Sequence, residues 1–226
     1  MLKIAPILLA VLYGLVLFFF SSKRLGADLT QNSTKLSDPI LDQYCADMAK
    51  AVGLDNITVY IHEVEPVNGL AAPDGRIFIT RGFMNKYRAG EVSAPELASV
   101  IAHELGHIAL GHSRRRMIDF SAQNAIRVAL SMILGRLIPG LGVYAANILT
   151  SLLAARLSRA DEYEADAYAA ALMEKTGLGV APQISLFQSL SNLTGMGGQP
   201  LAWMMSHPKT EDRIAAIENL SKGWND

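Results

Sequence analysis

The sequence predicts an α+β fold that is mostly helical, with a small β-sheet and an N-terminal membrane anchor helix. Two short runs rich in β-branched and aromatic residues predict strands at 57–61 and 76–80, the second entered through a turn at 73–75. Everything after Gly82 has helix and loop patterns. A few strands followed by many helices are typical of an α+β domain with a small sheet.

The N-terminal segment contains an uncharged, apolar run of 17 residues from Ile4 to Phe20, near the lower limit for a helix that spans a bilayer. No clear small-x-small cleavage site follows, which favours an uncleaved signal anchor over a cleaved secretory signal. We expect a signal anchor at 1–22, a polar tether at 23–37 and one domain at 38–226. A single-pass protein of the bacterial inner membrane, with its domain in the periplasm, fits best. A periplasmic protein after signal cleavage is the alternative.

Composition and charge exclude several classes of protein. The formal net charge is -1, so nothing indicates a nucleic-acid partner. The single cysteine, Cys45, excludes an internal disulfide framework. It lies in a helix predicted at 39–52, capped by Asp38 and ended by Gly53, where a small buried apolar side chain is the favoured interpretation.

A second apolar stretch, residues 137–155, contains 19 uncharged residues. Its length would suit a membrane span, but Pro139, Gly140 and Gly142 interrupt it. We expect a loop followed by an apolar helix that either packs on the domain or touches the membrane surface. A full second span is the alternative. The arginines at 114–116 either meet lipid headgroups or form a solvated helix end, and the second interpretation is favoured.

The helix predicted at 93–111 begins with a capping box and carries His103, Glu104 and His107. The two histidines are four residues apart, so they lie about 40° apart around the helix axis and share a face. Glu104 is offset from them by about 100° and 60°, and therefore borders a metal held by the histidines. That is the position of a general base in a zinc hydrolase. A helix with two surface histidines is the plain alternative.

A hydrolytic zinc site needs a third protein ligand. His112 lies five residues after the second histidine and would point about 140° away from it, so we expect a polar helix end there. A helix predicted at 158–173 offers Glu162 as the third ligand. Asp166, one turn on, can accept a hydrogen bond from the non-metal nitrogen of a ligating histidine, and Glu164 should face away. Spacing alone leaves an acidic helix start, stabilised by the helix dipole, equally open.

Four motifs, in order along residues 38–221, resemble those of one known family: HExxH at 103–107, SRxxEYxAD at 158–166, the strand segment 68–82, and the His-Pro motif at 206–208 followed by Arg213. That family is the group of zinc metallopeptidases that includes the HtpX heat-shock protease, the CAAX prenyl endopeptidase and the Oma-type mitochondrial protease. The combination is far more specific than any one motif.

The resemblance implies a zincin-like fold and a gluzincin site with one Zn²⁺ per chain. His103, His107 and Glu162 would be its ligands, and Glu104 the catalytic base. The CAAX and HtpX branches carry several membrane spans, whereas this short, singly anchored chain is more similar to the envelope quality-control members. Unfolded or damaged membrane and envelope proteins are the substrates that this branch implies, and the bilayer is a partner through the N-terminal helix.

The expected reaction is attack of a metal-activated water on a peptide bond, with Glu104 moving the proton. The strand around 77–80 is expected to pair with the substrate backbone. His207 either donates a hydrogen bond to the oxyanion, occupies the open zinc position, or only forms a His-Pro turn. Two other functions remain: a non-catalytic, membrane-tethered, chaperone-like binder, which an intact Glu104 argues against, and a zinc aminopeptidase. No acidic cluster is obviously placed to hold the free amine that an aminopeptidase binds.

Overall fold

The structure is a computed structural model that describes residues 5–72, 74–197 and 210–224. The chain divides into two compact units, which are described separately. The helical unit comprises Met1–Asp28 and Gly111–Asp161, and the mixed unit comprises Leu29–Leu110 and Glu162–Asp226.

The described elements are mostly helices, with a few short strands. In chain order they are α1 (Ala5–Gln31), β1 (Ser33–Lys35), α2 (Pro39–Val52), β2 (Val59–His62), β3 (Gly69–Ala71), β4 (Ile77–Thr80), α3 (Arg81–Arg88), α4 (Ala94–Ala109), α5 (His112–Leu137), α6 (Gly142–Lys175), α7 (Ala181–Gly197) and α8 (Thr210–Lys222). This composition confirms the predicted α+β class.

The helical unit contains most of α1, all of α5 and the first part of α6. Within residues 5–72, 74–197 and 210–224, no helix combines the length and the apolar character that crossing a membrane requires. The loop expected at the start of the stretch 137–155 is present, because α5 ends at Leu137 and α6 begins at Gly142.

The mixed unit is built on a four-stranded sheet with the order β1-β2-β4-β3. β2 and β4 are parallel, with Val59 opposite Ile77, and both outer strands run antiparallel to their neighbours. The expectation that residues 77–80 pair with a substrate is therefore wrong. β4 is central and fully buried, so β2 and β3 already occupy its two edges. β3 is an outer strand of the sheet.

Two outer strands were not predicted, because three residues are too few to show an alternating pattern. β1 lies within the segment 23–37 that was expected to be a polar tether, and α1 continues into the same segment as far as Gln31. The strand predicted at 57–61 is observed as Val59–His62, whereas the one predicted at 76–80 is observed almost unchanged.

Helix α4 runs through the core of the mixed unit. Its predicted capping box is present: Ser93 accepts a hydrogen bond from the Glu96 amide, and the Glu96 carboxylate accepts one from the Ser93 amide at 2.7 Å. Leu97, Val100 and Ile101 are fully buried in the main apolar cluster. The helix that carries the two histidines is thus fixed by a cap at one end and by core packing along its length.

Helix α6 is longer than predicted. An apolar helix was expected within 137–155 and a separate helix from 158, but the two form one continuous helix from Gly142 to Lys175. Glu162 and Asp166 therefore lie in the middle of a helix. An acidic helix start, stabilised by the dipole of a helix N-terminus, is excluded because that stabilisation is confined to the first turn.

Candidate metal centre

The two histidines of α4 face the same point. His103 and His107 are 2% and 4% exposed, and their Nε2 atoms lie 3.1 Å apart. The four-residue spacing on a regular helix brings the rings to one face. Converging imidazole nitrogens of this kind are ligands that zinc prefers.

Glu162 approaches both histidines from α6. Its Oε2 lies 3.4 Å from His103 Nε2, and its Oε1 lies 3.5 Å from His107 Nε2. The Glu162 side chain is buried. The structure thus brings together the three residues expected as ligands, with one candidate ligand atom from each lying within 4.8 Å of the others.

The close approach of α4 to α6 depends on Gly106. A Cβ at this position would lie 3.1 Å from the carbonyl oxygen of Ala165 and 3.2 Å from Tyr168 Cβ. These distances are shorter than ordinary van der Waals contact. A glycine opposite a buried alanine therefore lets the two helices pack closely enough for Glu162 to reach the histidines.

The spacing of the donor atoms fits a tetrahedral zinc ion. Zinc binds imidazole nitrogen and carboxylate oxygen at about 2.0–2.2 Å, which places two ligand atoms of one tetrahedral ion roughly 3.3 Å apart. The separations of 3.1, 3.4 and 3.5 Å agree with that value. Two nitrogens and one carboxylate leave the fourth position open, which is typical of a catalytic rather than a structural site.

Asp166 fixes the orientation of the His103 ring. Its Oδ1 accepts a hydrogen bond from His103 Nδ1 at 3.0 Å, so the other ring nitrogen is directed at Glu162. A carboxylate on the nitrogen away from the metal holds the tautomer of a ligating histidine and increases its basicity. Gln183 Nε2 also donates to Asp166, at 3.3 Å to its backbone oxygen.

Arg213 had no role in the predicted site, but the structure places it beside Asp166 and Glu162. Its Nε donates to Asp166 Oδ2 at 2.6 Å and its Nη2 donates to Asp166 Oδ1 at 2.7 Å. The guanidinium also lies 3.8 Å from Glu162 Oε2 and 4.6 Å from the centre of the Phe187 ring. A sequence signal was available, because Arg213 follows the His-Pro motif that is part of the family resemblance.

Buried charges around His103 shift three pKa values. Burial lowers the pKa of His103, but without a metal ion its hydrogen bonds to Asp166 and Glu162 raise it to about 9. Burial raises the pKa of Asp166, yet the ion pair with Arg213 holds it below its ordinary value. Burial lowers the pKa of Arg213, while Asp166 raises it above its ordinary value. Asp166 is therefore an ionised carboxylate, and it remains so because Arg213 neutralises it.

Similarity to known proteins extends along most of the chain. A family model described as peptidase family M48 matches residues 35–221. The chain belongs to peptidase family M48. It is thus a metalloprotease by family, and the resemblance drawn from its motifs is confirmed.

Several M48 relatives share this similarity. The metalloprotease YcaL of Escherichia coli (strain K12) is 30% identical over 180 residues, which cover 77% of this chain and 67% of the relative. The metalloprotease LoiP of the same organism is 30% identical over 165 residues, covering 73% and 62%. A protease HtpX homolog of Chlorobium limicola is 26% identical over 232 residues, covering 87% and 77%. The chain therefore spans about two thirds of the length of the two E. coli relatives.

The remaining candidate residues of this M48 chain fall in different places. Glu104 is 2% exposed and lies next to His103 on α4. His112 is the first residue of α5 in the helical unit, where it is buried and its Nε2 lies 3.8 Å from Asp161 Oδ1. It was expected to be a polar residue at the end of the helix that carries His103, but it is the buried first residue of the next helix. Glu164 is exposed, in agreement with its expected direction. His207 lies outside the described residues.

Proposed function

We propose that this M48 protein is a zinc-dependent endopeptidase. The observation that carries the proposal is the convergence of His103 Nε2, His107 Nε2 and the Glu162 carboxylate at the spacing of tetrahedral zinc ligands. Glu104, on the same helix as the histidines, is the only other residue to which the proposal gives a direct chemical role.

The mechanism divides the chemistry between the metal and the chain. Zinc, when bound, polarises the scissile carbonyl and lowers the pKa of the attacking water. Glu104 takes the water's proton and passes it to the leaving amine. Asp166 keeps His103 in the tautomer that presents Nε2 to the metal, and Arg213 keeps Asp166 ionised.

The proposed substrate is an unfolded or misassembled protein that binds in an extended conformation. β3 is an outer strand of the sheet and packs against α4, so a segment added beside β3 would lie close to the helix that carries the histidines. Pairing of this kind uses backbone hydrogen bonds and tolerates many side chains. Unfolded casein should therefore be cleaved, whereas a compact folded protein should resist.

We further propose that residues 1–22 hold the protein at the bacterial inner membrane with its catalytic domain in the periplasm. The support is the uncharged run from Ile4 to Phe20 in the sequence and the exposure of its large side chains, such as Leu9, Tyr13 and Phe20 at 64–66%. Two measurements test this proposal: the mass of the N-terminal peptide of the mature protein, and the cleavage of the domain by a protease added to spheroplasts. A cleaved N-terminus, or protection of the domain from external protease, contradicts it.

Casein cleavage and zinc content, measured on the same samples, test the catalytic proposal. Glu104→Gln should bind zinc normally and lose activity by about 10²- to 10⁴-fold, the contribution typical of a general base. Glu162→Gln should lose zinc. Glu174→Gln is the matched control, because this exposed glutamate lies on the same helix as the ligand, and it should retain both zinc and activity.

Each result has one interpretation. Full activity of Glu104→Gln would refute the role of the base, and full zinc content of Glu162→Gln would refute the third ligand. Casein binding without cleavage by the zinc-loaded wild type would instead support a chaperone-like binder. Release of single amino acids alone would indicate an aminopeptidase.

A further inference from the structure

The first part of α6 has its large apolar side chains on the outside. Tyr144, Ile148 and Leu152 follow one another at four-residue intervals, so they form one stripe along the helix. They are 73%, 56% and 62% exposed. We call these three residues the outer stripe. Leu141, just before the helix, extends it and is 65% exposed.

The opposite face of the same segment is made of small residues. Gly142, Ala146 and Thr150 also recur every four residues, and all three are buried. A Cβ on Gly142 would lie 2.2 Å from the backbone carbonyl of Leu134, so α6 begins in close contact with the end of α5. The Thr150 hydroxyl donates to the Ala146 carbonyl at 2.8 Å, so its polar group is satisfied within the helix.

This arrangement reverses the usual amphipathicity of a helix in a water-soluble protein, where the large apolar residues face the core. Small residues inside and large apolar residues outside are typical of helices whose outer face meets lipid. The end of α5 in the same unit shows the same property, because Ile133, Leu137 and Ile138 are 42–71% exposed.

The charge of the helical unit indicates which kind of surface covers the stripe. This unit contains ten Lys and Arg against three Asp and Glu, a net charge of +7, whereas the mixed unit contains ten against eighteen, a net charge of -8. Between Arg136 and Arg156 there is no charged residue, and both of these arginines are exposed. An uncharged apolar face bordered by cations complements the apolar interior and the anionic headgroups of a bilayer.

We propose that the outer stripe inserts into the surface of an anionic lipid bilayer. From Leu141 to Leu152 the segment is about 16 Å long, roughly half of the 30 Å hydrocarbon thickness, so it is too short to cross the bilayer in any orientation. This contact is separate from the proposed N-terminal anchor and does not depend on the proposed peptidase activity.

A fluorescent reporter on the stripe tests the proposal in the full-length protein. Ile148→Cys carries an environment-sensitive label, and the native Cys45 does not compete because it is buried. Leu54→Cys is the matched control, since Leu54 is an exposed leucine of the mixed unit, 47% accessible. The label at position 148, but not at 54, should shift to the blue and be quenched by nitroxide lipids when vesicles containing phosphatidylglycerol are added.

The charge dependence gives a second measurement. Vesicles of phosphatidylcholine alone should produce a much smaller response. Arg136→Gln and Arg156→Gln should each weaken insertion of the label about fivefold, the effect expected for one basic residue at a headgroup surface. Both residues are exposed, so these variants should fold normally.

Three outcomes would overturn the proposal. The first is absence of lipid quenching at position 148 while the protein is bound to the vesicles, since the N-terminal helix would then be the only contact. The second is an equal response to neutral and anionic vesicles. The third is a blue shift without vesicles that grows with protein concentration, because a second copy of the chain would then cover the stripe.

Discussion

Arg213 donates two parallel hydrogen bonds of 2.6 and 2.7 Å to the Asp166 carboxylate, and both side chains are 2% exposed. Asp166 in turn accepts the Nδ1 hydrogen of His103. The orientation of one candidate zinc ligand on α4 thus depends on an arginine of α8, through a carboxylate of α6. This chain of contacts connects the last described helix to the metal site.

Arg213→Met should weaken zinc binding by about 10- to 100-fold, the effect typical of losing a group that supports a metal ligand. It should also destabilise the protein by about 3–5 kcal/mol, because it leaves a buried carboxylate without its partner. Chelator competition and urea unfolding measure the two effects. Arg213→Lys keeps the positive charge but cannot form the two parallel hydrogen bonds, so its zinc affinity should lie between those of Arg213→Met and the wild type.

The matched control for this pair is Arg81→Met. Arg81 also donates two hydrogen bonds to one carboxylate, with its Nε 2.8 Å from Glu63 Oε2. The side chains of this pair are more exposed, however, at 25% for Arg81 and 39% for Glu63. Exposed ion pairs contribute less than about 1 kcal/mol, so zinc affinity should not change and stability should change little. Equal effects of the Arg213 and Arg81 substitutions would contradict the role of Arg213 at the metal site.

Gly106→Ala should reduce zinc affinity even though alanine is the better helix former. The added Cβ would lie 3.1 Å from Ala165 O and push α6 away from α4, which moves Glu162 from the histidines. We expect a loss of about tenfold or more in zinc affinity. Gly135→Ala is the control within a helix, because nothing lies within 4 Å of its Cβ position. It should raise stability by up to about 1 kcal/mol and leave zinc binding unchanged.

The arrangement of the candidate site was predictable where a single helix determines it, and was not predictable where separate helices must pack together. His103, Glu104 and His107 are positioned by one helix, so their spacing alone defines their arrangement. Glu162 and Asp166 share one face of a second helix for the same reason, but spacing alone left the role of Glu162 open, and the family resemblance implied it as the third ligand. Arg213 was given no role because its partners lie on other helices, and helix periodicity carries no information about which helices pack together.

The fold shows the same division between local and non-local information. The caps of α2 and α4 were predicted from single residues, whereas the position of β4 inside the sheet was not, since strand order depends on long-range pairing. The continuity of α6 through residue 158 could have been predicted. No glycine or proline occurs between Val143 and Lys175, so no local signal ends the helix before residue 158.

Cys45 should be unreactive in the folded protein. Burial, together with the charge of Asp42, raises the pKa of its thiol to about 12. At pH 8 the thiolate fraction should be roughly a thousandfold smaller than for an ordinary exposed cysteine. A thiol reagent such as DTNB should react with one equivalent in urea and with almost none in buffer. Rapid modification without loss of structure would show that Cys45 is accessible.

Glu96 should connect the stability of the mixed unit to pH. Its carboxylate accepts hydrogen bonds from the Ser93 amide and hydroxyl at 2.7 and 2.8 Å, and from Ser185 and Ser189 on α7 at 2.6 and 3.1 Å. Burial raises the pKa of Glu96, but these hydrogen bonds outweigh it and hold the pKa below its ordinary value. One side chain therefore caps α4 and ties it to α7.

Because its pKa is lower in the folded protein, Glu96 stabilises the fold above the ordinary glutamate pKa of 4.5, and this contribution is lost as the pH falls through the folded value. Glu96→Gln should therefore reduce the free energy of unfolding by about 1–2 kcal/mol at pH 7. The difference from wild type should shrink as the pH falls below 4.5, measured by urea unfolding across that range. Glu91→Gln is the control, since its pair with Lys86 is on the surface and should contribute less than about 1 kcal/mol. If the loss of unfolding free energy in Glu96→Gln stays constant down to acidic pH, the packing of the side chain, and not its ionised carboxylate, holds α4 and α7 together.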